Sequence, residues 1–560
     1  MITGQQDADP SGTNASVPRP EGPSGARRAA ARPLPGPRLR LRWALTVALV
    51  GGLLLASAFA PLGWWPFAFV SPALLVLALS GRSLRAAFTV GLVFGTAFFV
   101  PLLAWVVNLA WYAWIALAVA SALIFAVFTI AQWLLLNLRW WPLAVAGWWV
   151  GAEAFRDRWP WGGFPWGRLA MSQAGLPTQG WAAIGGPPAL TFLVALTGTT
   201  LAWILLTALT GDRAGRRRRT VVAAAAFAAT ACVSCLPAAL NLDPVPANAK
   251  TAEVAAIQGN SPRARSLVAQ VNYLQVTLNH EIATDKLAAK VAAGTLPRPD
   301  LVIWPENSTS IDPFQYPPVY QEITSAVSAI GRPVLVGAVL QNPTRNAAVL
   351  WLPGKGPTTT YLKRRLVPFG EFLPFRALIS KITSLTALLP QNFVPGHKTV
   401  VFDVGQIKLG DVICYEVAFD DLVRSEVTAG ANLLSVQSND ATYERIGPTT
   451  AESGQQLAMA RIRAVEFDRA VVYASTTGYS GFIAPDGRVI ERTGLWQQAE
   501  IEAKVPLLTY QTLAERVGAW PEWAIVAATT LALCLAIAQA AVSQRRERAA
   551  RSADSPAETG

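Results

Sequence analysis

The stretch AAFTVGLVFGTAFFVPLLAWVVNLAWYAWIALAVASALIFAVFTIAQWLLLN, residues 86–137, contains no charged side chain. A helix needs about 20 mostly apolar residues to cross a membrane, so this stretch is long enough for two spans. The run between Arg42 and Arg82 is equally free of charge and has room for two more. Over the whole chain only 15% of the residues are charged, whereas a soluble protein has roughly 25%. Much of this 560-residue chain is therefore expected to face lipid.

Hydropathy and the spacing of charges predict eight transmembrane helices. We expect them near residues 43–60, 64–80, 86–107, 112–138, 140–155, 188–210, 220–238 and 518–542. Residues 1–42 and 543–560 then form tails, and the composition of the first tail predicts disorder. The first apolar run also resembles a signal peptide ending at Ala58-Phe59-Ala60, but Pro61 disfavours cleavage and a second span follows at once.

The net charge of +12 at first suggests a nucleic-acid-binding protein. Its distribution excludes that class. If the eight spans alternate, the whole excess lies in segments on one side, and the segments on the other side sum to zero. Because cytoplasmic loops carry an excess of Lys and Arg, both termini are predicted to be cytoplasmic. Residues 243–516 are then extracytoplasmic.

Residues 243–516, between the seventh and eighth spans, have the pattern of a soluble domain. Short apolar, β-branched runs such as 254–257, 301–304 and 433–436 alternate with helical patterns such as 455–468. This order predicts an α/β layered domain. The segment is long enough for one substantial core.

Cys414 is the only cysteine of this domain, because the other three fall within predicted spans. It ends an apolar run and precedes Tyr415, which predicts a position at the end of a strand, where α/β sheets present functional groups. A lone thiol is a candidate nucleophile, although a buried structural cysteine is commoner. His280 and His397 lie in no motif, so neither a Cys–His pair nor a histidine metal site is expected.

A carboxylate and a lysine can take the roles that histidine fills elsewhere. Glu306 follows an apolar run and Pro305, where desolvation would raise its pKa towards that of a useful base. A strand-end glutamate facing water is the alternative. Lys363 precedes a loop constrained by Pro and Gly that closes with Glu371. Taken alone, however, a Lys-Arg-Arg run is usually a solvated basic face.

Three segments together resemble the motifs of the nitrilase, or carbon–nitrogen hydrolase, superfamily. They are Trp304-Pro305-Glu306, Tyr361-Leu362-Lys363 and Ile413-Cys414-Tyr415-Glu416. This resemblance implies a Glu306–Lys363–Cys414 triad on an α-β-β-α sandwich. More narrowly, the chain resembles the bacterial apolipoprotein N-acyltransferase family, which places such a domain between the last two of eight spans. Further matching motifs are residues 163–166, 258–260, 366–371 and 438–440. The departures are Leu267 and Ala441-Thr442-Tyr443.

The resemblance implies an acyltransferase of the bacterial cytoplasmic membrane, with a phospholipid as acyl donor and a diacylglyceryl-modified lipoprotein as acceptor. Cys414 would carry the acyl group as a thioester, with Glu306 as base and Lys363 stabilising the oxyanion. Supporting or substrate-binding candidates, expected to orient Lys363 or shape the pocket, are Glu371, Tyr415, Glu416 and Asn439. Neither a metal nor an organic cofactor is implied.

Two other functions fit parts of the sequence. A membrane-tethered amidase would use the same triad with water as the second nucleophile, although one span would be enough to tether it. A transporter is disfavoured because the predicted spans are almost free of ionisable residues. A non-catalytic scaffold with a degenerate domain is disfavoured because all three triad positions hold the required residue types. The apolar stretch 372–389 is expected either to form part of a gate towards lipid or to be a plain core helix.

Overall fold

The computed structural model describes residues 39–209, 213–240, 245–262, 273–381, 389, 391–444 and 451–553. The predicted disordered tail, residues 1–42, lies almost wholly outside them, and so does Leu267. The predicted gate, residues 372–389, is described up to residue 381 and at residue 389.

The first part of the chain is helical, and several of its helices are apolar on every side, as expected for helices surrounded by lipid or by other helices. Large apolar side chains such as Leu53 and Val127 remain exposed on its outer surface. Its helices are α1 (Leu41–Ser57), α2 (Phe67–Leu79), α3 (Leu84–Leu102), α4 (Trp111–Leu135), α5 (Trp141–Arg156), α6 (Trp181–Ala208) and α7 (Arg213–Leu240).

Among the described residues, five helical segments are long and apolar enough to cross a membrane. They are Leu84–Leu102, Trp111–Leu135, Pro177–Ala208, Gly215–Leu240 and Trp520–Arg546. A helix occurs at each of the eight predicted positions, but α1, α2 and α5 have only 17, 13 and 16 residues. Length and composition therefore support five candidate crossings, and the count of eight stays a prediction.

Glycines allow close packing between the helices of this part. A Cβ atom at Gly52 of α1 would lie 2.3 Å from the carbonyl oxygen of Phe94 on α3. At Gly91 of α3 it would lie 2.6 Å from Cβ of Thr129 on α4. Small residues at helix interfaces let backbones approach each other, so larger residues at these two positions would force the helices apart.

The second part of the chain contains two six-stranded sheets among the described residues. The strands are β1 (Thr251–Gln258), β2 (Leu301–Ile303), β3 (Val334–Leu340), β4 (Arg345–Leu352), β5 (Gly356–Leu362), β6 (Val401–Val404), β7 (Ile407–Ile413), β8 (Leu433–Ser438), β9 (Val471–Ser475), β10 (Gly481–Ile483), β11 (Val489–Arg492) and β12 (Ala499–Pro506). The first sheet has the order β12-β1-β2-β3-β4-β5, and the second has the order β11-β10-β9-β8-β7-β6. In each sheet three central strands run parallel: β1, β2 and β3 in the first, and β7, β8 and β9 in the second.

The sheets face each other, and helices cover their outer faces. Along β1, Val254 and Ala256 point into the core between the sheets, whereas Ala255 and Ile257 pack against the outer helices. This period of two is the side-chain alternation of a strand. The remaining helices are α8 (Tyr273–Ala292), α9 (Pro317–Ile330), α10 (Arg376–Ile379), α11 (Asp420–Thr428), α12 (Ala451–Phe467), α13 (Leu513–Val517) and α14 (Trp520–Ala553). The predicted α/β sandwich with helices on both outer faces is present.

The second sheet reaches the helical part through α11 and α12. One hydrophobic cluster contains Phe98 and Trp105 of the helical part together with Leu422 of α11 and Ile462 of α12. A second cluster fills the space between the sheets, and a third joins the first sheet to α8 and α9. The layer of α11 and α12 is therefore shared between the sandwich and the apolar helices.

Candidate active site

Glu306, Lys363 and Cys414 each follow the end of a strand. Glu306 comes three residues after β2, and Lys363 and Cys414 directly follow β5 and β7. The relative exposures of the three residues are 4%, 1% and 6%. The structure thus places Glu306 and Cys414 at strand ends, as the sequence predicted. Lys363 also follows a strand, and it is buried instead of lying on a solvated basic face.

The Lys363 ammonium lies between two buried carboxylates. Its Nζ donates to Glu306 Oε1 at 2.9 Å and to Glu371 Oε1 at 3.0 Å. Asn346 of β4, which the sequence did not single out, donates from Nδ2 to the same two oxygens at 2.7 and 2.9 Å. The two second oxygens accept backbone N–H groups, from Asn439 at 3.0 Å for Glu306 and from Val367 at 2.8 Å for Glu371. Each carboxylate is therefore fixed at both oxygens.

The charges of this cluster act on one another and on the thiol. Burial raises the pKa of Glu306, and Lys363 opposes this. Burial alone would lower the pKa of Lys363, but Glu306 and Glu371 outweigh it and raise that pKa well above its ordinary value. Burial and the Glu306 carboxylate raise the pKa of Cys414 well above its ordinary value, against the effect of Lys363. The thiol is thus protonated at rest, and it needs a base beside it to become a nucleophile.

Cys414 begins a tight turn, Cys414–Ala418, which we call the cysteine turn. Its φ is +53°, a left-handed value that non-glycine residues rarely adopt. Strained backbone of this kind recurs at functional sites. Gln456 Nε2 of α12 lies 3.5 Å from Cys414 Sγ within hydrogen-bond geometry. The sulfur is therefore presented at the end of β7 by an unusual backbone conformation and is contacted by a side-chain amide.

Glu416 holds the cysteine turn to the strand end that carries Lys363. One of its oxygens accepts the backbone N–H groups of Arg364 at 2.6 Å and Arg365 at 2.9 Å. The other accepts Ile413 N–H and the Tyr361 hydroxyl, both at 2.8 Å. The predicted role of Glu416 was to shape the pocket. Its observed bonds fix the loops that carry Lys363 and Cys414 relative to each other, and a role in shaping the pocket stays a prediction.

Tyr415 faces the helical part of the protein. Its hydroxyl donates to the Gly163 carbonyl at 2.7 Å, and its ring stacks with Phe164 and Trp166. These three partners belong to the motif at residues 163–166, in the loop after α5. The residue beside Cys414 is thereby connected to the apolar helices.

Asn439 contributes its backbone to the site, because its N–H bonds Glu306. Its side-chain oxygen accepts the Ala441 N–H at 3.3 Å, within its own loop. In the same loop, the Tyr443 ring packs edge-on against Trp105, with the ring centroids 5.0 Å apart. The departure from the family pattern at Tyr443 thus lies at the junction with the helical part.

Asn346 and Gln456 were missed because neither lies in a motif. Their signal in the sequence is weak: Asn346 interrupts the start of a strand, and Gln456 lies in a helix next to a second glutamine. In the described part of the chain, no group of three or more His, Cys, Asp or Glu side chains could hold a metal ion.

Known proteins match the two parts of the chain separately and together. Residues 51–200 match the model of the apolipoprotein N-acyltransferase N-terminal domain, and residues 253–521 match that of carbon–nitrogen hydrolase. An apolipoprotein N-acyltransferase from Mycolicibacterium smegmatis is 37% identical over 88% of this chain and 85% of its own length. This chain belongs to the apolipoprotein N-acyltransferase family.

More distant members of the apolipoprotein N-acyltransferase family match over a similar length. The protein of that name from Gloeobacter violaceus is 30% identical and covers 90% of this chain and 95% of its own. The one from Vibrio vulnificus is 27% identical and covers 89% and 97%. Among solved structures, a nitrilase-superfamily amidase from Nesterenkonia AN1 is 18% identical and covers 48% of this chain and 95% of its own, with a TM-score of 0.34.

Proposed function

We propose that the protein moves a fatty acyl chain from a phospholipid to the α-amino group of a diacylglyceryl-cysteine at the N-terminus of lipoproteins. One observation carries the proposal: a thiol, a buried carboxylate and a buried ammonium meet at the face of an α/β domain that packs on apolar helices. Family membership agrees with this reading. The carboxylate and ammonium provide base and oxyanion stabilisation without histidine.

In the first half-reaction, Glu306 takes the thiol proton, and the Cys414 sulfur attacks the ester carbonyl of the phospholipid. The Lys363 ammonium stabilises the oxyanion. When the ester C–O bond breaks, the lysophospholipid leaves with the proton held by Glu306, and an acyl-thioester remains. Glu371 keeps Lys363 charged and oriented throughout, because its carboxylate accepts a hydrogen bond from the ammonium at 3.0 Å.

In the second half-reaction, the lipoprotein amine attacks the thioester. The new C–N bond forms as the C–S bond breaks, and the thiolate regains a proton that the amine has lost. A thioester reacts with amines more readily than an ester does, so covalent catalysis replaces one difficult exchange with two easier steps. The same geometry would serve hydrolysis if water reached the thioester, which is why the acceptor must be tested separately.

We further propose that the helices form eight membrane spans, with both termini in the cytoplasm and the α/β domain on the outer side of the bacterial cytoplasmic membrane. The distribution of Lys and Arg supports this topology. Both substrates carry acyl chains in the membrane, so a site at the outer membrane surface reaches them without extracting either one. The junction between α12 and the helical part is the suitable place for such access.

The test is to incubate the purified full-length protein with phospholipid carrying a labelled acyl chain and to look for label on Cys414 by mass spectrometry. The control is Cys414→Ser. A diacylated lipopeptide is then added. We expect labelled wild-type protein, unlabelled variant and transfer of the label to the peptide amine. Absence of an adduct would refute the thioester, and release of the label only as free fatty acid would identify a hydrolase.

A further inference from the structure

Helix α12 carries two adjacent buried glutamines, Gln455 and Gln456, with different partners. Their relative exposures are 4% and 1%. Gln456 contacts the Cys414 sulfur through Nε2 at 3.5 Å. Its Oε1 accepts a hydrogen bond from the Tyr473 hydroxyl at 2.5 Å, and Ser438 Oγ lies 3.0 Å away from it. The Ser438 hydroxyl also lies 2.6 Å from Asp440 Oδ1, so the Tyr473 hydroxyl is the donor that fixes Oε1. With Oε1 turned towards Tyr473, the amide N–H₂ group faces the sulfur.

Gln455 binds the helical part with every hydrogen-bonding position that a carboxamide has. Its Nε2 donates to the carbonyls of Ala60 at 3.0 Å and Leu102 at 3.1 Å. Its Oε1 accepts the indole N–H groups of Trp105 at 3.2 Å and Trp166 at 2.6 Å. These partners come from three separate segments: the turn after α1, the region from the end of α3 to Trp105, and the loop after α5.

We infer that Gln456 is a positioning residue for the Cys414 sulfur, and that Gln455 makes this positioning depend on contact between α12 and the apolar helices. The inference rests on the proposed function for its purpose, because a sulfur that attacks and later leaves as a thiolate gains from the same N–H donor in both half-reactions. Hydrogen bonds to charged groups are stronger than those to neutral ones. The amide therefore favours the thiolate over the thiol.

The surroundings explain why this donor matters. Cys414 is buried, and besides Glu306 the carboxyl groups of Glu452 and Asp440 also raise its pKa, whereas Lys363 lowers it. Gln456 supplies an uncharged donor from the side of α12. Since it carries no charge, it can stabilise the thiolate without competing with Lys363 for the carboxylates.

The inference is tested by the rate at which iodoacetamide alkylates Cys414 in the full-length protein in detergent, followed by mass spectrometry. Cys232, Cys235 and Cys534 are replaced by Ala, so that Cys414 is the only thiol. In this background Gln456→Met removes the donor, and Gln456→Glu replaces it with a carboxyl group of the same shape. Gln321→Met, on the exposed face of α9, is the matched control.

We expect Gln456→Met to raise the apparent pKa of alkylation by about one unit, which is a tenfold lower rate at pH 8. Gln456→Glu should lower the rate further, because a nearby negative charge also opposes the thiolate, and Gln321→Met should match the parent protein. The thermal midpoints are measured alongside. Unchanged rates in both Gln456 variants, or equal rate losses that follow equal losses of stability, would overturn the positioning role.

Gln455→Met tests the coupling to the helical part. We expect a two- to fivefold lower alkylation rate at pH 8, although Gln455 does not contact the sulfur, because α12 loses its four bonds to the helices. A rate equal to that of the parent would overturn the coupling. Alkylation needs no lipid, so a shifted rate in a protein that forms no acyl adduct would support the positioning role and refute the proposed function.

Discussion

The replacement Lys363→Met tests the electrostatic core of the site. It removes an ammonium that lies 2.9 Å from Glu306 Oε1 and 3.0 Å from Glu371 Oε1, at nearly constant side-chain length. With an effective dielectric constant of about 20, the Coulomb attraction between Lys363 and Glu306 at 2.9 Å is about 6 kcal/mol as an upper bound. Because one pKa unit corresponds to about 1.4 kcal/mol, the pKa of Glu306 should rise by about 2–4 units once part of this energy is offset by reorganisation.

The sign of the pH effect follows from the role of Glu306. The base works when it is ionised, so acylation is present above its pKa and is lost as the pH falls through that value. Lys363 lowers this pKa against the effect of burial. Its removal should therefore move the acid limb of the rate profile upward by about 2–4 pH units. Loss of the oxyanion donor should add a decrease of about 10²–10³-fold at every pH.

The assay measures the rate of acyl-adduct formation on Cys414 between pH 5 and pH 10. Lys408→Met is the matched control, because Lys408 is a half-exposed surface lysine paired with Asp403 on the strands β6 and β7. Adduct formation by Lys363→Met within tenfold of the wild type at pH 7 would refute the assigned role. So would a large loss with an unshifted acid limb, because it would mean that Lys363 does not set the pKa of Glu306.

Three further replacements test individual contacts. Asn346→Leu removes the amide that holds both carboxylates. We expect acylation, measured as the rate of adduct formation, to be about 10–100-fold slower, and the free energy of unfolding, measured by denaturation, to fall by about 1–3 kcal/mol. An unchanged acylation rate would assign Asn346 to packing alone. In Glu416→Gln, an amide N–H₂ group would face N–H and O–H groups that need an acceptor. The free energy of unfolding should fall by about 2–4 kcal/mol, seen as a lower thermal midpoint, and an unchanged midpoint would contradict the role of Glu416 as an anchor. Asp420 binds Arg168 at 2.7 Å and Arg463 at 2.6 Å, so Asp420→Asn should cost about 2–3 kcal/mol near neutral pH. Although partial burial acts in the opposite direction, the two arginines hold the pKa of Asp420 below its usual range. The wild type should therefore lose this contribution to stability as the pH falls below about 4, whereas the variant should not. Parallel curves of stability against pH for the two proteins would contradict the assigned ion pairs of Asp420.

The sequence predicted the helices well because lipid imposes a simple rule: a chain must remain apolar over a fixed length. Helices α3 and α4 lie close to the spans predicted at residues 86–107 and 112–138. The ends of helices follow a less simple rule. Helix α14 continues to Ala553, beyond the apolar span predicted at 518–542, because charged residues such as those after 543 are compatible with a helix in water.

The residues of the candidate site divide in a similar way. Glu306 and Cys414 were identified because each follows an apolar run, and Lys363 because its motif completes the resemblance to the nitrilase triad. Asn346 and Gln456 were not, because a buried amide acquires its role from partners that are distant in the chain: Asn346 Nδ2 binds a residue 40 positions away, and Gln456 one 42 positions away. Glu416 was found, but its four hydrogen bonds to the loops that carry Lys363 and Cys414 could not be predicted, because most of its partners are distant in the sequence.

The contacts around the cysteine turn also give the helical part of this chain a role beyond anchoring the domain, for which a single helix would be enough. Tyr415 binds Gly163, and Gln455 binds Trp105 and Trp166. The residue beside the proposed nucleophile and the helix that contacts its sulfur are thus held by segments between apolar helices. A soluble amide would reach Cys414 without such segments. In the proposed reaction, a phospholipid ester reaches the site from the membrane, so the surface that admits it has to contact the residues that cleave it. The contacts between the cysteine turn, α12 and the helical part meet this requirement. They favour acyl transfer between membrane-bound substrates over hydrolysis of soluble ones.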